Sequence, residues 1–360
     1  MESMYIHIPF CKNICSYCDF TKIIADERLI GPYLKTLKEE IKDKYDKEVI
    51  KTLYIGGGTP SVLNKEHLEA LFTIIKDINL SNTYEFTFEC NLNDINEELL
   101  EVLKTGGVNR LSIGIQSFNE NKLKYMGRNH TYKEAIKKIT LAREMGFINI
   151  NIDLMYGIPG ETLNDLKKDL KLFLSLKPNH ISTYSLIIES HTKLSIANEQ
   201  PIAEEEEVQM YEYLVKTLAK KQYIHYELSN FALKGYESKH NLTIWDNKEY
   251  YGFGLGSHGF IHGVRYENTK NLKSYLKKEF VREERIISKT ENMENELILG
   301  FRKIKGINLN EFYNKYDVNM QEVFPIEILV KNKDLIYKDG YISISPDKIY
   351  IMNEILLKLI

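Results

Sequence analysis

Short apolar segments alternate with amphipathic helical segments along roughly the first 220 residues of this chain. The apolar segments have the length of buried strands, and the longer segments between them show the spacing of helices that bury one face. The predicted strands are Tyr5–Ile8, Thr52–Ile55, Tyr84–Glu89, Arg110–Ile115, Asn149–Leu154 and Ile181–Ile187. The predicted helices are Pro32–Tyr45, Lys65–Ile78, Glu97–Lys104, one that ends near Gly146, Leu163–Leu176, and one from Ala203 to Lys220.

Six strand–helix repeats predict an α/β fold with a parallel sheet, because each parallel strand is joined to the next by a right-handed crossover. A closed barrel of this kind has eight repeats. We therefore predict an open, partial (β/α)6 barrel over residues 1–230, with a doubly wound sheet as the alternative.

The repeat ends near residue 230, and two further regions follow it. Residues 230–263 are rich in Gly, aromatic residues and His and are predicted to be loop, within a connecting segment placed at 231–285. A hairpin is predicted in the last region, 286–360, with Asp339-Gly340 at its turn. The helices predicted before it are Glu294–Arg302, Asn308–Tyr316 and Met320–Val330. Helices followed by a hairpin indicate a small α+β, winged-helix-like domain, whose expected role is packing or contact with a partner.

Composition narrows the class of protein. Hydrophobic residues make up 43% of the chain and charged residues 28%, which is typical of a soluble protein with a sizeable core. The net charge of −3 argues against a general nucleic-acid binder, which concentrates Lys and Arg to neutralise phosphates. No signal peptide or membrane-spanning run is recognisable, so a cytoplasmic location is expected.

Three of the four cysteines form a Cys-x₃-Cys-x₂-Cys motif, namely Cys11, Cys15 and Cys18, in the loop after the first predicted strand. Thiolates at this spacing can each bind a different iron of a [4Fe–4S] cluster. Zinc is the alternative, but a structural zinc site uses four ligands and usually paired Cys-x₂-Cys units. Three ligands leave one iron free to chelate S-adenosylmethionine. Cys90 is expected to be a small buried residue rather than a ligand.

Further motifs extend this pattern. Gly56-Gly57-Gly58-Thr59-Pro60 follows the second predicted strand, where glycines let backbone groups approach a ligand closely. With the cysteine motif, this loop resembles the radical S-adenosylmethionine superfamily. Several segments resemble one group of it, HemN/HemW, which comprises oxygen-independent coproporphyrinogen III oxidases and heme chaperones. These segments are Tyr5–Cys11, Gly114–Phe118, Gly127–His130, Asp153–Gly160 and His240-Asn241.

The resemblance implies a set of S-adenosylmethionine contacts. Arg128 can pair with the methionine carboxylate, Asp153 can accept from ribose hydroxyls, and Glu89 can hold the ammonium group or a ribose. The full set of positions that match the family is Tyr5, Tyr17, Gly57, Gly58, Thr59, Glu89, Gln116, Arg128, Asp153, Ser185 and His258. Glu89, Gln116 and Asp153 lie in apolar, strand-like surroundings, where a polar side chain needs a partner such as a ligand.

Three features favour the heme-chaperone branch of this group. Phe20 stands where the oxidase branch has a fourth cysteine, and only ten residues precede Cys11, whereas the oxidases carry a long N-terminal extension. The segment His240–Trp245 resembles a His-Asn-x-x-Tyr-Trp signature of heme binding, with Ile244 at the tyrosine position. His240 is therefore the candidate heme ligand.

The resemblance also implies partners. They are heme or a porphyrin, a heme-acceptor protein, an electron donor such as flavodoxin or ferredoxin, and a second copy of the chain if it forms a homodimer. Two alternatives stay open. One is a coproporphyrinogen III oxidase that decarboxylates its substrate through a 5′-deoxyadenosyl radical, and the other is a plain electron-transfer iron–sulfur protein.

Overall fold

The computed structural model describes residues 1–360. Its strands, in chain order, are β1 Ser3–Ile8, β2 Phe10–Cys11, β3 Ile23–Ile24, β4 Ile50–Gly57, β5 Leu80–Asn91, β6 Arg110–Gln116, β7 Asn149–Tyr156, β8 His180–Ser185, β9 Ile224–Glu227, β10 Asn230–Ala232, β11 Tyr251–Phe253, β12 His258–Ile261, β13 Val264–Asn268, β14 Val281–Ile286, β15 Ile307–Asn308, β16 Leu335–Lys338 and β17 Tyr341–Ile344.

The main sheet has nine strands in the order β11-β1-β4-β5-β6-β7-β8-β10-β9. The strands from β11 to β8 are parallel, and β10 and β9 complete one edge in antiparallel fashion. Strands β1, β4, β5, β6, β7 and β8 follow one another in both space and sequence, whereas a doubly wound sheet reverses its strand order. The predicted open, partial barrel is therefore confirmed, and the doubly wound alternative is wrong.

The helices, in chain order, are α1 Glu27–Lys44, α2 Lys65–Ile75, α3 Glu97–Thr105, α4 Glu120–Met126, α5 Tyr132–Glu144, α6 Leu163–Ser175, α7 Lys193–Ile196, α8 Glu204–Lys220, α9 Lys239–Trp245, α10 Leu272–Leu276, α11 Lys289–Gly300, α12 Leu309–Tyr316, α13 Met320–Val323, α14 Ile326–Lys331 and α15 Met352–Leu356. Of these, α1, α2, α3, α5, α6 and α8 pack in the main core against the outer face of the sheet, whereas α11 to α15 pack in the C-terminal region. No helix has both the length and the apolar character required to cross a bilayer.

Successive side chains of a strand point to opposite faces of the sheet, so the alternation of apolar and polar residues gives an apolar outer face and a polar inner face. Apolar strand residues pack with the helices in one core, in which Ile6, Ile55 and Phe88 are fully buried. The residues between them are polar and bond across neighbouring strands: the Ser3 and Thr52 hydroxyls lie 2.7 Å apart, and other pairs join β6, β7 and β8. The concave interior of the barrel is therefore lined by polar side chains.

The prediction that residues 230–263 are loop is wrong. This stretch holds β10, α9, β11 and the hairpin strand β12, and β11 pairs in parallel with β1 to extend the sheet. Each strand is only three or four residues long, which is too short for a periodic pattern, and β11 pairs with β1 at the far end of the sequence.

Residues 286–360 contain the predicted helices and hairpin. The three-stranded sheet β15-β17-β16 packs with the surrounding helices around a second apolar core. One predicted helix, Met320–Val330, is instead two short helices, because Pro325 cannot continue the hydrogen bonding of α13. Asp339 and Gly340 form the turn with φ of 51° and 78°, as an Asp-Gly hairpin requires.

Candidate functional site

The cysteine loop leaves the carboxyl-terminal end of β1 and returns through a short parallel pairing of β2 with β3. Cys11 is buried, whereas Cys15 and Cys18 are partly exposed. The Lys22 ammonium donates to the Cys18 carbonyl oxygen at 2.5 Å and fixes the end of the loop. The structure thus places the three thiols together at the barrel rim, within one turn-rich segment.

Burial raises the pKa of the Cys11 thiol to about 11, although the Thr59 hydroxyl, 3.6 Å from its sulfur, opposes the rise. Burial also raises the pKa of Cys18, and Lys22 opposes it. Thiolates are the form that binds metal, so a metal bound here would supply the positive charge that stabilises them.

The donor set is made of three cysteines from one short segment, Cys11, Cys15 and Cys18. A structural zinc site uses four ligands, whereas a four-iron cluster can be held by three thiolates that each bind a different iron. The chemistry of this donor set fits a cluster better than zinc.

The glycine loop ends β4 beside the cysteine loop. Gly57 has φ of +117°, and a Cβ there would come within 2.5 Å of the His7 ring. A Cβ on Gly58 would come within 2.6 Å of the Pro9 backbone. The Thr59 amide donates to the Phe10 carbonyl oxygen at 2.8 Å, which joins the loop to the strand that ends in Cys11. Glycine is thus required for the loop to lie this close to the cysteine segment.

Glu89 and Asp153 project into the barrel from β5 and β7. Glu89 accepts from the Tyr54 hydroxyl at 2.7 Å and from the Gly57 amide at 3.0 Å. Burial raises the pKa of Glu89 to about 7, and the nearby Asp153 carboxylate adds to the rise. Burial raises the pKa of Asp153 to about 6, against a hydrogen bond from Asn151 and the charge of Arg128. Two partly buried carboxylates are therefore present to accept from donor groups of a ligand.

Arg128 and Gln116 carry buried polar atoms without partners. Arg128 donates to the Gly114 carbonyl oxygen at 2.7 Å and to the Tyr17 hydroxyl at 3.2 Å, but its Nε has no acceptor. Gln116 has φ of +73°, a strained conformation for a non-glycine residue, and its Oε1 has no donor. Buried polar atoms that lack partners in the protein are suited to a ligand that supplies them.

The comparisons with known proteins agree with this geometry. The family model of the radical SAM superfamily matches residues 5–173. Heme chaperone HemW of Lactococcus lactis is 41% identical to this chain over 94% of it and 91% of its own length. The Bacillus subtilis heme chaperone HemW is 39% identical over 98% of this chain and 96% of its own. The chain belongs to the HemW family.

A solved structure shares the fold of this HemW-family chain. It is coproporphyrinogen III oxidase (HemN) from Escherichia coli, described as a radical SAM enzyme, with a TM-score of 0.86 at 20% identity. The superposition covers 99% of this chain and 89% of that one. At this identity the likeness establishes the architecture of the HemW-family chain, including its C-terminal region, and no more.

Membership in the HemW family, and so in the radical SAM superfamily, implies a [4Fe–4S] cluster and S-adenosylmethionine. The residues present fit both groups. Three thiols of the Cys-x₃-Cys-x₂-Cys motif lie beside a glycine loop, and the unpartnered Arg128 and Gln116 atoms lie in the same rim as the Asp153 carboxylate.

The remaining family positions are less closely grouped. The Tyr5 hydroxyl lies 2.9 Å from His7 Nδ1 in the barrel interior. Ser185 ends β8, and a Cβ on Gly157 would come within 3.0 Å of its hydroxyl. His258 begins β12 outside the main sheet, and its side chain is 62% exposed. The structure therefore places Tyr5 and Ser185 in the barrel but leaves His258 largely in solvent.

His240 lies at the opposite end of the barrel from the cysteines. Its Nδ1 is 3.0 Å from the Ser3 hydroxyl and 3.2 Å from that of Thr52, both near the starts of their strands. The Glu85 carboxylate accepts from the Lys239 and His240 amides and holds the start of α9 there. The imidazole is buried, and burial lowers its pKa to about 3.

Sequence reasoning missed two groups that support this site. Arg110 was assigned only to a strand, yet it is 2% exposed and lies inside the barrel. The Lys122 ammonium is buried too, and it donates to Glu161 at 2.6 Å and to Asp169 at 2.9 Å. Lys122 also donates to the Met155 carbonyl oxygen, so this triad joins the ends of β6 and β7. The sequence does contain a signal for Arg110, because an arginine in an otherwise apolar strand is unusual. It contains none for Lys122, which looks like an ordinary surface residue of a helix.

Proposed function

We propose that this protein is a heme chaperone that binds a [4Fe–4S] cluster, S-adenosylmethionine and heme and transfers heme to an acceptor protein. The observation that carries the proposal is the 41% identity with a heme chaperone over 94% of the chain. We further propose a cytoplasmic location, with a flavodoxin or ferredoxin as electron donor to the cluster.

In this proposal Cys11, Cys15 and Cys18 hold the cluster, and the open iron is left for S-adenosylmethionine. A reduced cluster of this kind supplies an electron that can cleave the sulfonium bond. Arg128 offers its unpartnered Nε to the methionine carboxylate, while Asp153 and Glu89 accept from ribose hydroxyls or the ammonium group. The glycine loop lets backbone groups approach the bound methionine.

Heme is assigned to His240 at the other end of the barrel. Its low pKa keeps the imidazole neutral at pH 7, which is the form that can ligate iron. The ring belongs to the first turn of α9 and is buried against the barrel, however, and two hydroxyls surround its Nδ1. We therefore propose that heme binds when α9 moves away from the barrel and exposes His240.

A second candidate function is oxidative decarboxylation of coproporphyrinogen III. It is favoured by the fold shared with HemN over nearly the whole chain. Phe20 opposes it, because this residue occupies the position of a fourth oxidase cysteine and is 70% exposed beside the cluster loop.

The heme assignment is tested by titrating heme into the cluster-reconstituted chain and following its visible absorption. His240→Ala removes the proposed ligand itself and should weaken heme binding by at least the roughly 10- to 100-fold that follows from losing a partner that orients a ligand. His262→Ala is the matched control, because its side chain is 68% exposed and lies outside the barrel. Unchanged heme affinity in His240→Ala would remove this residue from the heme site.

A further inference from the structure

Asp94 is a buried carboxylate in the turn that follows β5. It ends a short 3₁₀ helix, Leu92–Asp94, and is 8% exposed. Both of its oxygens are engaged: Oδ1 accepts from the Lys12 ammonium at 2.7 Å, and Oδ2 accepts from the Ser61 hydroxyl at 2.8 Å. Lys12 belongs to the cysteine loop and Ser61 directly follows the glycine loop. One carboxylate thus bonds to both of the loops from which the candidate site is built.

Ser61 connects this carboxylate to the glycine loop and to β5. Its hydroxyl accepts from the Asn91 amide at 2.9 Å and donates to Asp94, and the side chain is buried. Two residues earlier in the chain, the Thr59 hydroxyl lies 3.6 Å from the Cys11 sulfur. A continuous set of hydrogen bonds therefore runs from the end of β5 to the segment beside the first thiol.

Lys12 is the cation that compensates Asp94. No other ion pair in the structure includes this carboxylate. Lys138 of α5 reaches the same turn, but its ammonium donates to the Asn93 carbonyl oxygen at 2.7 Å. A buried carboxylate is costly unless it is paired and hydrogen-bonded, so the position of Asp94 depends on Lys12 and Ser61 together.

The contact with Lys12 holds a part of the cysteine loop that has few other bonds. Beyond Cys15, the loop is fixed through Ser16, whose hydroxyl and backbone bond to neighbouring segments. Before Cys15, the Lys193 ammonium donates to the Ile14 carbonyl oxygen at 3.1 Å, at an exposed site on α7. Lys12 is itself 66% exposed, but its carboxylate partner is only 5% exposed, so one end of the pair is fixed in the protein.

We propose that Asp94 is a positioning residue that holds the cysteine loop against the glycine loop, so that the thiols are arranged for the cluster before it binds. The proposal rests on the cluster part of the proposed function and is independent of heme. Asp94 contacts none of the thiols and acts through Lys12 and Ser61. A loop that is already ordered binds its cluster without the full entropic cost of fixing the chain.

The test measures how fast an excess of iron chelator removes the cluster from the anaerobically reconstituted chain, followed by visible absorption. Asp94→Asn keeps an acceptor for Ser61 but loses the charge that holds Lys12. It should lose the cluster about tenfold faster, the lower end of the effect of groups that orient metal ligands. Lys12→Met should act alike, and the double variant should be no faster than either single variant, because both remove one interaction. Lys12→Arg retains the charge and should restore nearly the original rate.

The matched control is Lys216→Met on α8. Lys216 pairs with Glu212 at 2.6 Å and is 68% exposed, much like Lys12, but its carboxylate partner is 49% exposed and lies far from the cysteine motif in sequence. Its rate of cluster loss should equal that of the unsubstituted chain. Unchanged rates in Asp94→Asn would overturn the proposal. Effects of Asp94→Asn and Lys12→Met that multiply in the double variant would also overturn it, because the two residues would then act separately.

Trypsin digestion of the chain without its cluster gives a second test that does not depend on the proposed function. Trypsin must take the Lys12 side chain into its own pocket, and the ion pair with Asp94 opposes this. Cleavage after Lys12 should be about fivefold faster in Asp94→Asn, as expected for loss of one such pair, while cleavage after Lys216 stays the same. Equal cleavage after Lys12 in both chains would overturn the proposal. A chain that takes up no cluster would contradict the proposed function, and the digestion would still decide the role of Asp94.

Discussion

The barrel and the C-terminal region, residues 286–360, satisfy their buried polar groups in opposite ways. Side chains with buried, unpartnered polar atoms are frequent in and around the barrel, including Arg110, Gln116, Arg128 and Asn149. None lies in the C-terminal region. A folded protein rarely leaves such atoms unpaired without a reason, and those of Gln116 and Arg128 at the barrel rim are available to a ligand.

The two regions also use ion pairs differently. Lys122, Glu161 and Asp169 form a triad with side chains no more than 5% exposed, directly behind the strand ends that carry Gln116 and Asp153. In the C-terminal region, Lys348 pairs with Asp334 at 2.6 Å, but the lysine is 27% exposed. The buried triad holds the strand ends of the barrel in place through charges that are shielded from water. The Lys348–Asp334 pair instead lies near the surface of the C-terminal region, where water screens it.

The largest expected effect is at the cysteine loop. Cys15→Ser should abolish the cluster absorbance and leave the far-ultraviolet circular dichroism unchanged, because the partly exposed Cys15 contributes little to the core. Iron and sulfide analysis after anaerobic reconstitution measures this. Cys90→Ser is the control and should retain the cluster, since Cys90 is buried in the apolar core. Four irons per chain in Cys15→Ser would contradict the cluster assignment.

A smaller effect is expected from Lys122→Met. Removing the ammonium leaves Glu161 and Asp169 buried without their cation, which should lower the free energy of unfolding by about 3–5 kcal/mol. Urea denaturation of the chain measures the change. A loss below about 1 kcal/mol would mean that this triad does not hold the strand ends.

The smallest effect is expected from the matching substitution in the other region, Lys348→Met. Its partially exposed pair with Asp334 should contribute no more than about 1 kcal/mol to the free energy of unfolding. The same denaturation experiment compares the two lysines directly. Equal losses of unfolding free energy in Lys122→Met and Lys348→Met would show that the contrast between the two regions is mistaken.

The sequence predicted the barrel well because its signals are local. Strand β6 and helix α3 have periodic apolar residues, and their bounds differ from the prediction by one residue. Strand β11 was missed because three residues carry no periodicity and pair with β1 across most of the chain.

The site was only partly predictable. Cys11, Cys15, Cys18 and the glycine loop form contiguous motifs, so their spacing in the sequence alone makes them candidates. Arg110 meets Thr87 only across the pairing of β5 with β6, and the burial of His240 depends on hydroxyls from β1 and β4. Such groups come together only through sheet register, which a single sequence does not specify.

The most direct test of the central claim uses the anaerobically reconstituted protein under reductant in two parallel incubations. One receives S-adenosylmethionine and coproporphyrinogen III, and its products are analysed; the other receives heme, and its visible absorption is followed. The account predicts stably bound heme and no decarboxylated product. Protoporphyrinogen formed over many turnovers would contradict it and make the protein an oxidase.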